Sequence, residues 1–507
     1  MELYLDANAT TPVLPQARAA ALAAMAEEYG NPSSTHGSGL RARALLDRVR
    51  DTARRVLAVP TGELLFTSGA TEGIQTAVLS ALVALRQREA AGQALPRRLL
   101  YGATEHKAVP SALRHWNALL GLDLDVQAIP VDREGRHDLA WLRTQAQDAG
   151  LVCTMAANNE TGVVSDLDGI AAALAGSPAL WLVDGVQALG KLPLKLVERR
   201  IDYAPFSGHK LYAPKGIGLL YVREGAPLTP LQAGGGQEGG LRAGTENMAG
   251  IAALGAVLEA LASGTVFAPA PVLEARRQQL VAALREAFPG IVFNTPLGNS
   301  LPTTLNFSVP GVATARLLEL FDAEGLRLSG GSACGAAQAQ PSPVLQAMGL
   351  PAAQTTSAIR LSFGAADDAA LTDEACARLR ACGARLREEP EPVEVDLPIE
   401  SLGGLLRAMP QARLIDVRDA DERAAEPVPA GFAAEWPAMR AVPLPSLPAL
   451  LAELRALPAD TPVVFVCRSG ARSARAARAL RQQGHAAAWS LAGGLDRVAA
   501  AEAAASA

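Results

Sequence analysis

Between about residues 64 and 223 the chain alternates short apolar strand-like runs with helical patterns, and this alternation constrains the fold most. Leu64-Leu65, Leu99-Leu100-Tyr101, Leu180-Trp181-Leu182-Val183 and Gly218-Leu219-Leu220-Tyr221-Val222 read as strands. The segment that follows the first of them carries Ile74, Val78 and Leu79 at helical spacing. Strands that alternate with helices predict an α/β fold with a mostly parallel sheet covered by helices. Sheets of that kind bind ligands beyond the carboxyl ends of their strands. The residues just after each strand are therefore the first candidates for a functional site.

Four such places carry chemistry. Lys210 lies in Phe206-Ser207-Gly208-His209-Lys210, just ahead of the strand at 218, and the chain has only five lysines. A lysine that forms a Schiff base needs a shaped, partly desolvated pocket, so that its amine can be neutral near pH 7. Asp184 ends the strand at 180, where a carboxylate can keep a pyridine nitrogen protonated and make the ring an electron sink. Phe66-Thr67-Ser68-Gly69-Ala70-Thr71-Glu72-Gly73 opens a helix whose free N–H groups and hydroxyls suit a phosphate. His106, after the strand at 99, can face a flat ring. Singly, each has a plainer reading: an exposed turn lysine, a capping Asp, a helix-start Thr, a packed His. One pyridoxal phosphate site accounts for all four together.

Further segments carry a resemblance. Tyr4-Leu5-Asp6-Ala7-Asn8-Ala9-Thr10-Thr11-Pro12, Gly30-Asn31-Pro32-Ser33-Ser34-Thr35-His36 and Asn158-Asn159-Glu160-Thr161-Gly162 occur in order. Arg242-Ala243-Gly244-Thr245-Glu246-Asn247, Ser329-Gly330-Gly331-Ser332-Ala333-Cys334 and Ile359-Arg360-Leu361-Ser362-Phe363-Gly364 follow. Over roughly residues 1 to 385 the chain resembles the cysteine desulfurases, class-V aminotransferases of pyridoxal phosphate fold type I. Ala213 departs from the family, which usually has Gly before Pro-Lys-Gly. The resemblance implies Lys210 as the Schiff-base lysine, His106 stacked on the ring and aiding proton transfer, Asp184 on the pyridine nitrogen and Gln187 on the ring hydroxyl. It implies Ala70, Thr71, Ser207 and His209 around the phosphate, with Thr245 reaching it from the partner subunit of a homodimer. Asn158 and Arg360 would hold the carboxylate of the substrate, L-cysteine. Cys334 would be the nucleophile that takes the sulfur as a persulfide. Its small neighbours Gly330, Gly331, Ala333, Gly335 and Ala336 suit a thiol that must travel. Cys153, Cys376 and Cys382 lie in apolar or helical patterns and read as buried small hydrophobes.

The expected domains are a desulfurase part at 1–386, with a large domain at about 13–263 and a small one at about 1–12 and 264–386. An acidic, proline-alternating linker at 387–396 follows, then a second α/β domain at 397–498 and an Ala-rich tail at 499–507. In the second domain Leu414-Ile415-Asp416-Val417-Arg418 and Pro462-Val463-Val464-Phe465-Val466 read as strands, and residues 447 to 456 as a helix. The loop Cys467-Arg468-Ser469-Gly470-Ala471-Arg472 comes straight after the second strand and opens a helix with Ala474, Ala477 and Leu480 on one face. A thiol there, flanked by arginines and backed by an anion nest, is expected to have a lowered pKa. The plainer alternative is a buried Cys that ends a core strand. This region resembles a rhodanese domain, which implies sulfane-sulfur uptake by Cys467 with Arg468 and Arg472 in support. The spacing from Cys467 to Arg472 is one residue shorter than in the related dual-specificity phosphatases, and suits a sulfur atom rather than phosphate.

Bulk properties narrow the rest. A net charge of −5 with no basic aromatic patch argues against direct nucleic-acid binding. Five cysteines without Cys-x-x-Cys spacing argue against a disulfide scaffold and a structural metal site. No secretory n-region or bilayer-length apolar run is read, so a cytoplasmic, membrane-free enzyme is expected. The expected activity is a cysteine desulfurase that passes sulfur from Cys334 to Cys467. A selenocysteine lyase, a cysteine sulfinate desulfinase, or a rhodanese part serving only for docking or regulation stay open as alternatives. The final acceptor would be an iron–sulfur scaffold, a sulfur carrier or tRNA-thiolation protein, or a small thiol.

Overall fold

In the computed structural model the described residues are 2–294, 296–330, 341–388, 395–436, 439–443 and 446–505. They divide into two compact units, Met1–Ala384 and Arg385–Ala507.

The first unit is built on a seven-stranded sheet. Its strands are β2 (Glu63–Thr67), β3 (Arg98–Gly102), β4 (Asp125–Ile129), β5 (Ala149–Met155), β6 (Leu180–Asp184), β7 (Tyr203–Ser207) and β8 (Gly218–Val222), in the order β2-β8-β7-β6-β5-β3-β4. Only β8 runs against its neighbours. The carboxyl ends of β2, β3, β5, β6 and β7 therefore share one edge. Both faces are buried, as the period of two requires. Phe66, Leu100, Val152, Val183 and Phe206 enter one core cluster; Leu65, Leu99, Leu151, Leu182 and Tyr203 enter the other. Strand β5 is buried at all seven positions. Strand β4 was not anticipated from sequence: Asp125-Val126-Gln127-Ala128-Ile129 lies at the sheet edge, buried only at Ile129, and lacks an apolar run.

Residues at the two ends of this unit combine into smaller sheets. The N-terminal strand β1 (Leu3–Tyr4) pairs in parallel with β11 (Leu326–Arg327). An antiparallel sheet has the order β12-β10-β9, with β9 Val292–Phe293, β10 Thr304–Ser308 and β12 Ala358–Ser362. Asp6 bridges to Ser362, so the N-terminal segment leaves this part and crosses to the large sheet.

The second unit has a five-stranded parallel sheet in the order β13-β17-β16-β14-β15. These strands are Asp396–Leu397 (β13), Arg413–Asp416 (β14), Arg440–Ala441 (β15), Val463–Val466 (β16) and Ala488–Leu491 (β17). Strand β16 is wholly buried, and Ala474, Ala477 and Leu480 of the helix Ala471–Gln482 pack on it.

Three sequence boundaries shift. The expected linker at 387–396 is shorter, because the helix Ala369–Glu388 takes in Arg387 and Glu388 and β13 begins at Asp396. Arg385 and Arg387 in the last turn complement the helix dipole, and nothing breaks the pattern before Pro390. Residues 389–394 lie outside the described residues. The helix expected at 447–456 is Leu447–Leu454. The tail expected from 499 continues a helix, Gly494–Ala505. Among the described residues no helix is long and apolar enough to cross a membrane.

Candidate active sites

The shared carboxyl edge of the large sheet gathers most of the expected residues. Asp184 is the last residue of β6 and is buried. Its Oδ1 accepts the Val186 N–H at 2.9 Å. Burial raises its pKa to about 6, against the opposing pull of that N–H and of the Lys210 ammonium. Ser207 ends β7, and a short 3-10 turn, Gly208–Lys210, follows. Lys210 Nζ donates to the carbonyls of Asn8 and Ala9, both at 2.6 Å. His209 Nδ1 lies 3.2 Å from Thr10 Oγ1. Burial, and then Lys210 and Lys215, lower the His209 pKa to about 4. The His106 pKa is lowered as well, by burial first and then by Lys210 and Lys107. Both imidazoles are thus neutral near pH 7.

The phosphate side of the site is the N-terminus of the helix Ala70–Ala90. Ala70 is half-buried and Thr71 exposed in its first turn. Glu72 caps the preceding loop: its Oε2 accepts the Ser68 N–H at 2.7 Å and its Oε1 the Arg242 Nε–H at 3.0 Å. Burial would raise the Glu72 pKa, but Arg242 and Ser68 together hold it below the usual value. Thr245, three residues after Arg242, is exposed.

Three expected residues are more committed than the sequence suggests. Gln187 donates to the Asn8 carbonyl at 3.1 Å and accepts from Lys191 Nζ at 3.1 Å. Asn158 donates to the Thr104 carbonyl at 2.9 Å and accepts from Glu160 N, Thr161 N and Thr161 Oγ1. Arg360 is 1% exposed; Nη2 pairs with Asp6 at 2.6 Å and Nη1 donates to the Asn159 carbonyl, leaving Nε buried without a hydrogen-bond partner among the described residues. Cys334 lies outside the described residues. Just beyond that stretch, Ser342 Oγ donates to the buried Glu160 at 2.5 Å.

Sequence reasoning missed several neighbours. Asn8 N–H donates to Ser362 Oγ, and Asn8 Nδ2 to the Asn159 carbonyl and Thr304 Oγ1, so the residue ties both sheets to the Lys210 turn. The Tyr4–Pro12 motif was visible, but nothing in its spacing shows that it crosses to the lysine. Glu105 is buried beside Asp184, with Oε1 accepting the Met155 N–H and Oε2 without a hydrogen-bond partner among the described residues. Burial, and then the Asp184 charge, raise its pKa well above the usual value. Lys191 has a pKa lowered to about 8 by burial and then by Lys210.

The residues present fit pyridoxal phosphate. A buried carboxylate with one backbone donor suits a ring N–H, a primary amine sits on the neighbouring loop, and a long helix opens with an exposed hydroxyl for a phosphate.

The second site lies in the second unit. Cys467 is 1% exposed between β16 and the helix Ala471–Gln482. Its Sγ accepts the Gly470 N–H at 3.2 Å and lies 3.3 Å from Ser473 Oγ. Ser490 donates to Ser473 at 2.9 Å. Gly470 has φ 93° and stands against the Gly493 amide, where a Cβ would lie 3.1 Å from that nitrogen; only glycine closes this loop without strain. The Leu495 and Asp496 amides, opening the last helix, hold the Cys467 and Arg468 carbonyls. Ser469 is exposed, and Ala471 is the first residue of the helix. The buried pair Asp416–Arg418, at 2.8 Å, stands at the end of β14, next to β16. Arg468 and Arg472 are each paired with carboxylates rather than left open around the sulfur.

Each of the two units matches a known family. Residues 3–372 match the aminotransferase class-V family, and residues 401–501 the rhodanese-like domain. A cysteine desulfurase of Cereibacter sphaeroides is 38% identical over 363 residues, 71% of this chain and 90% of its own. The solved structure of a NifS-like protein has a TM-score of 0.67 and 33% identity, covering 76% of this chain and 100% of that one. That of SspA in complex with cysteine has a TM-score of 0.62 and 27% identity, over 73% of this chain and 100% of that one. Enzymes of this kind depend on pyridoxal phosphate. The chain therefore belongs to the cysteine desulfurases of the class-V aminotransferase family and carries a rhodanese-like domain behind the desulfurase part.

Proposed function

We propose that the first unit converts L-cysteine to L-alanine with the sulfur left as a persulfide on Cys334, and that Cys467 then receives it. The observation that carries this reading is a buried Asp184 and the Lys210 amine at neighbouring strand ends, in a chain that also presents a thiol in a strand-to-helix loop. A structure of SspA holds cysteine, which supports the substrate class.

Bound pyridoxal phosphate would supply an electron sink for the pair left when the substrate loses its Cα proton. Lys210 would hold the cofactor and, with the neutral His106, move that proton. Asp184 would keep a proton on the ring nitrogen, and Gln187, held between Asn8 and Lys191, would meet the ring hydroxyl. The Ala70 amide, Thr71, Ser207, His209 and Thr245 of the partner subunit would hold the phosphate in a homodimer. Arg360, through Nε, would take the substrate carboxylate, and Asn158 would shape the loop beside it. The Cys334 thiolate would attack the substrate sulfur; the C–S bond breaks, alanine leaves, and the sulfur stays as a persulfide. Iron–sulfur assembly or thiolation in the cytoplasm is the sink we assign to the sulfur. Anaerobic incubation with L-cysteine tests this: alanine and a persulfide on the Cys334 peptide are expected in equal amounts at first turnover. Selenide or sulfite release with no reaction of L-cysteine would overturn it.

Asp184→Asn separates stability from catalysis. The carboxyl's rise from 3.8 to about 6 means that the cofactor-free protein binds a proton there more readily folded than unfolded. The penalty of the buried charge is full above pH 6 and disappears as pH falls through 6 towards 3.8. It amounts to about 3 kcal/mol. Cofactor-free Asp184→Asn should therefore be more stable than wild type at pH 8 and gain little at pH 4. The loaded variant should lose about 10²-fold or more in turnover, as for removal of other electrostatic partners. Denaturation midpoints at the two pH values and alanine rates check both halves; a turnover loss below about threefold would leave Asp184 a structural residue.

A further inference from the structure

The rim of the Cys467 loop holds more carboxylate than arginine. Arg472 makes two hydrogen bonds to Glu422, at 2.6 and 2.5 Å, and lies 3.9 Å from Asp419. Arg468 lies 3.1 Å from Glu426 and 3.5 Å from Asp496. Arg418, the other guanidinium at this end of β14, is spent on the buried Asp416. Glu422 is held down to a pKa of about 2, by Arg472 first and then by the Asp419 amide. It is also part of a capping box with Asp419 that starts the helix Ala420–Ala425, so its position is fixed from two sides. Arg472 lies within electrostatic reach of the sulfur, and its two terminal nitrogens are both taken by Glu422.

A doubly charged sulfur donor such as thiosulfate needs those arginines free. At this rim it must displace a bidentate carboxylate and enter a field in which Arg418, Arg468 and Arg472 are each already paired with carboxylates. A persulfide delivered on a protein carries one charge at most and needs no guanidinium clamp.

We infer that Glu422 and Asp419 set the donor specificity of Cys467, closing it to small sulfur dianions and leaving it to persulfide sulfur. The inference rests on the reading of Cys467 as a sulfur acceptor. With a dianion the step would be attack of the Cys467 thiolate on the outer sulfur of thiosulfate, cleavage of its S–S bond and departure of sulfite with the electron pair. With a persulfide the same thiolate takes the terminal sulfur and the donor leaves as a thiolate.

The full-length holoenzyme tests this with two donors, reading persulfide on the Cys467 peptide by mass spectrometry. The Glu422→Gln/Asp419→Asn variant keeps groups able to make the capping box while removing both charges. Its loading from thiosulfate should rise about tenfold or more, with loading from L-cysteine unchanged. In wild type, raising salt should speed thiosulfate loading, because exposed charges are screened beyond about 10 Å at 0.1 M ionic strength; the variant should lose that response. Circular dichroism and unchanged loading from L-cysteine show that the domain is intact. Thiosulfate loading that stays level or falls in the variant would overturn the inference, since Glu422 would then be positioning Arg472 for the dianion. Failure of L-cysteine to load Cys467 in wild type would instead overturn the relay and leave the thiosulfate comparison to decide the rim.

Discussion

Lys210→Ala is expected to bring alanine formation from L-cysteine down to background while the protein still folds. The amine is the nucleophile that would hold the cofactor, and alanine offers no substitute. The site should survive its loss, because the N-terminal segment is anchored independently. Asp6 pairs with Arg360, Asn8 N–H donates to Ser362 Oγ, Thr11 N–H donates to the His209 carbonyl, and Tyr212 N–H donates to Thr11 Oγ1. What changes locally is that the Asn8 and Ala9 carbonyls lose their shared donor. Lys210→Arg makes a second variant: it keeps a cation for those carbonyls but supplies no neutral amine near pH 7. Wild type should purify yellow, and both variants should give background alanine with a far-ultraviolet spectrum like wild type. Turnover of L-cysteine by Lys210→Ala at the wild-type rate would sink the assignment.

Much of this was legible before the structure, for a physical reason. Ligand residues in a parallel sheet sit just after strands, and the strands that matter here are central and apolar, so Asp184, Ser207 and His106 could be placed from Leu180–Val183, Phe206 and Leu99–Tyr101. The edge strand β4 was not legible, because half-exposed residues leave no apolar run. Contacts made across long sequence separations were hidden too. That Asn8 would reach Thr304 and that its carbonyl would meet Lys210 depends on how the small sheets lie, which no local period records. The pairing of Arg472 with Glu422 is of the same kind: the loop arginine was visible, but the carboxylate that neutralises it comes from the helix after β14.

The relay between the two cysteines should show itself as an ordered pair of losses. Cys334→Ser should remove persulfide from both peptides when L-cysteine is the donor, since only the desulfurase part can take sulfur from bound substrate. Cys467→Ser should leave alanine production largely intact and remove persulfide only from its own peptide. The order follows from the second site, where Cys467 has the Gly470 N–H, Ser473 and a helix N-terminus to receive an anionic sulfur but no group to break a C–S bond. The tether between the helix ending at Glu388 and the strand starting at Asp396 is short, at no more than about 3.6 Å per residue. A short tether can keep the effective concentration of one thiol near the other in the millimolar range, within a chain or across a dimer. Transfer by thiolate attack on the terminal sulfur of the Cys334 persulfide then needs no free sulfide: one S–S bond breaks as another forms, and Cys334 leaves as a thiolate ready for the next substrate. Adding a sulfide trap during turnover should therefore leave loading of Cys467 unchanged. Loading of Cys467 by L-cysteine as fast in Cys334→Ser as in wild type, or its loss to the trap, would show that sulfur reaches Cys467 by another route.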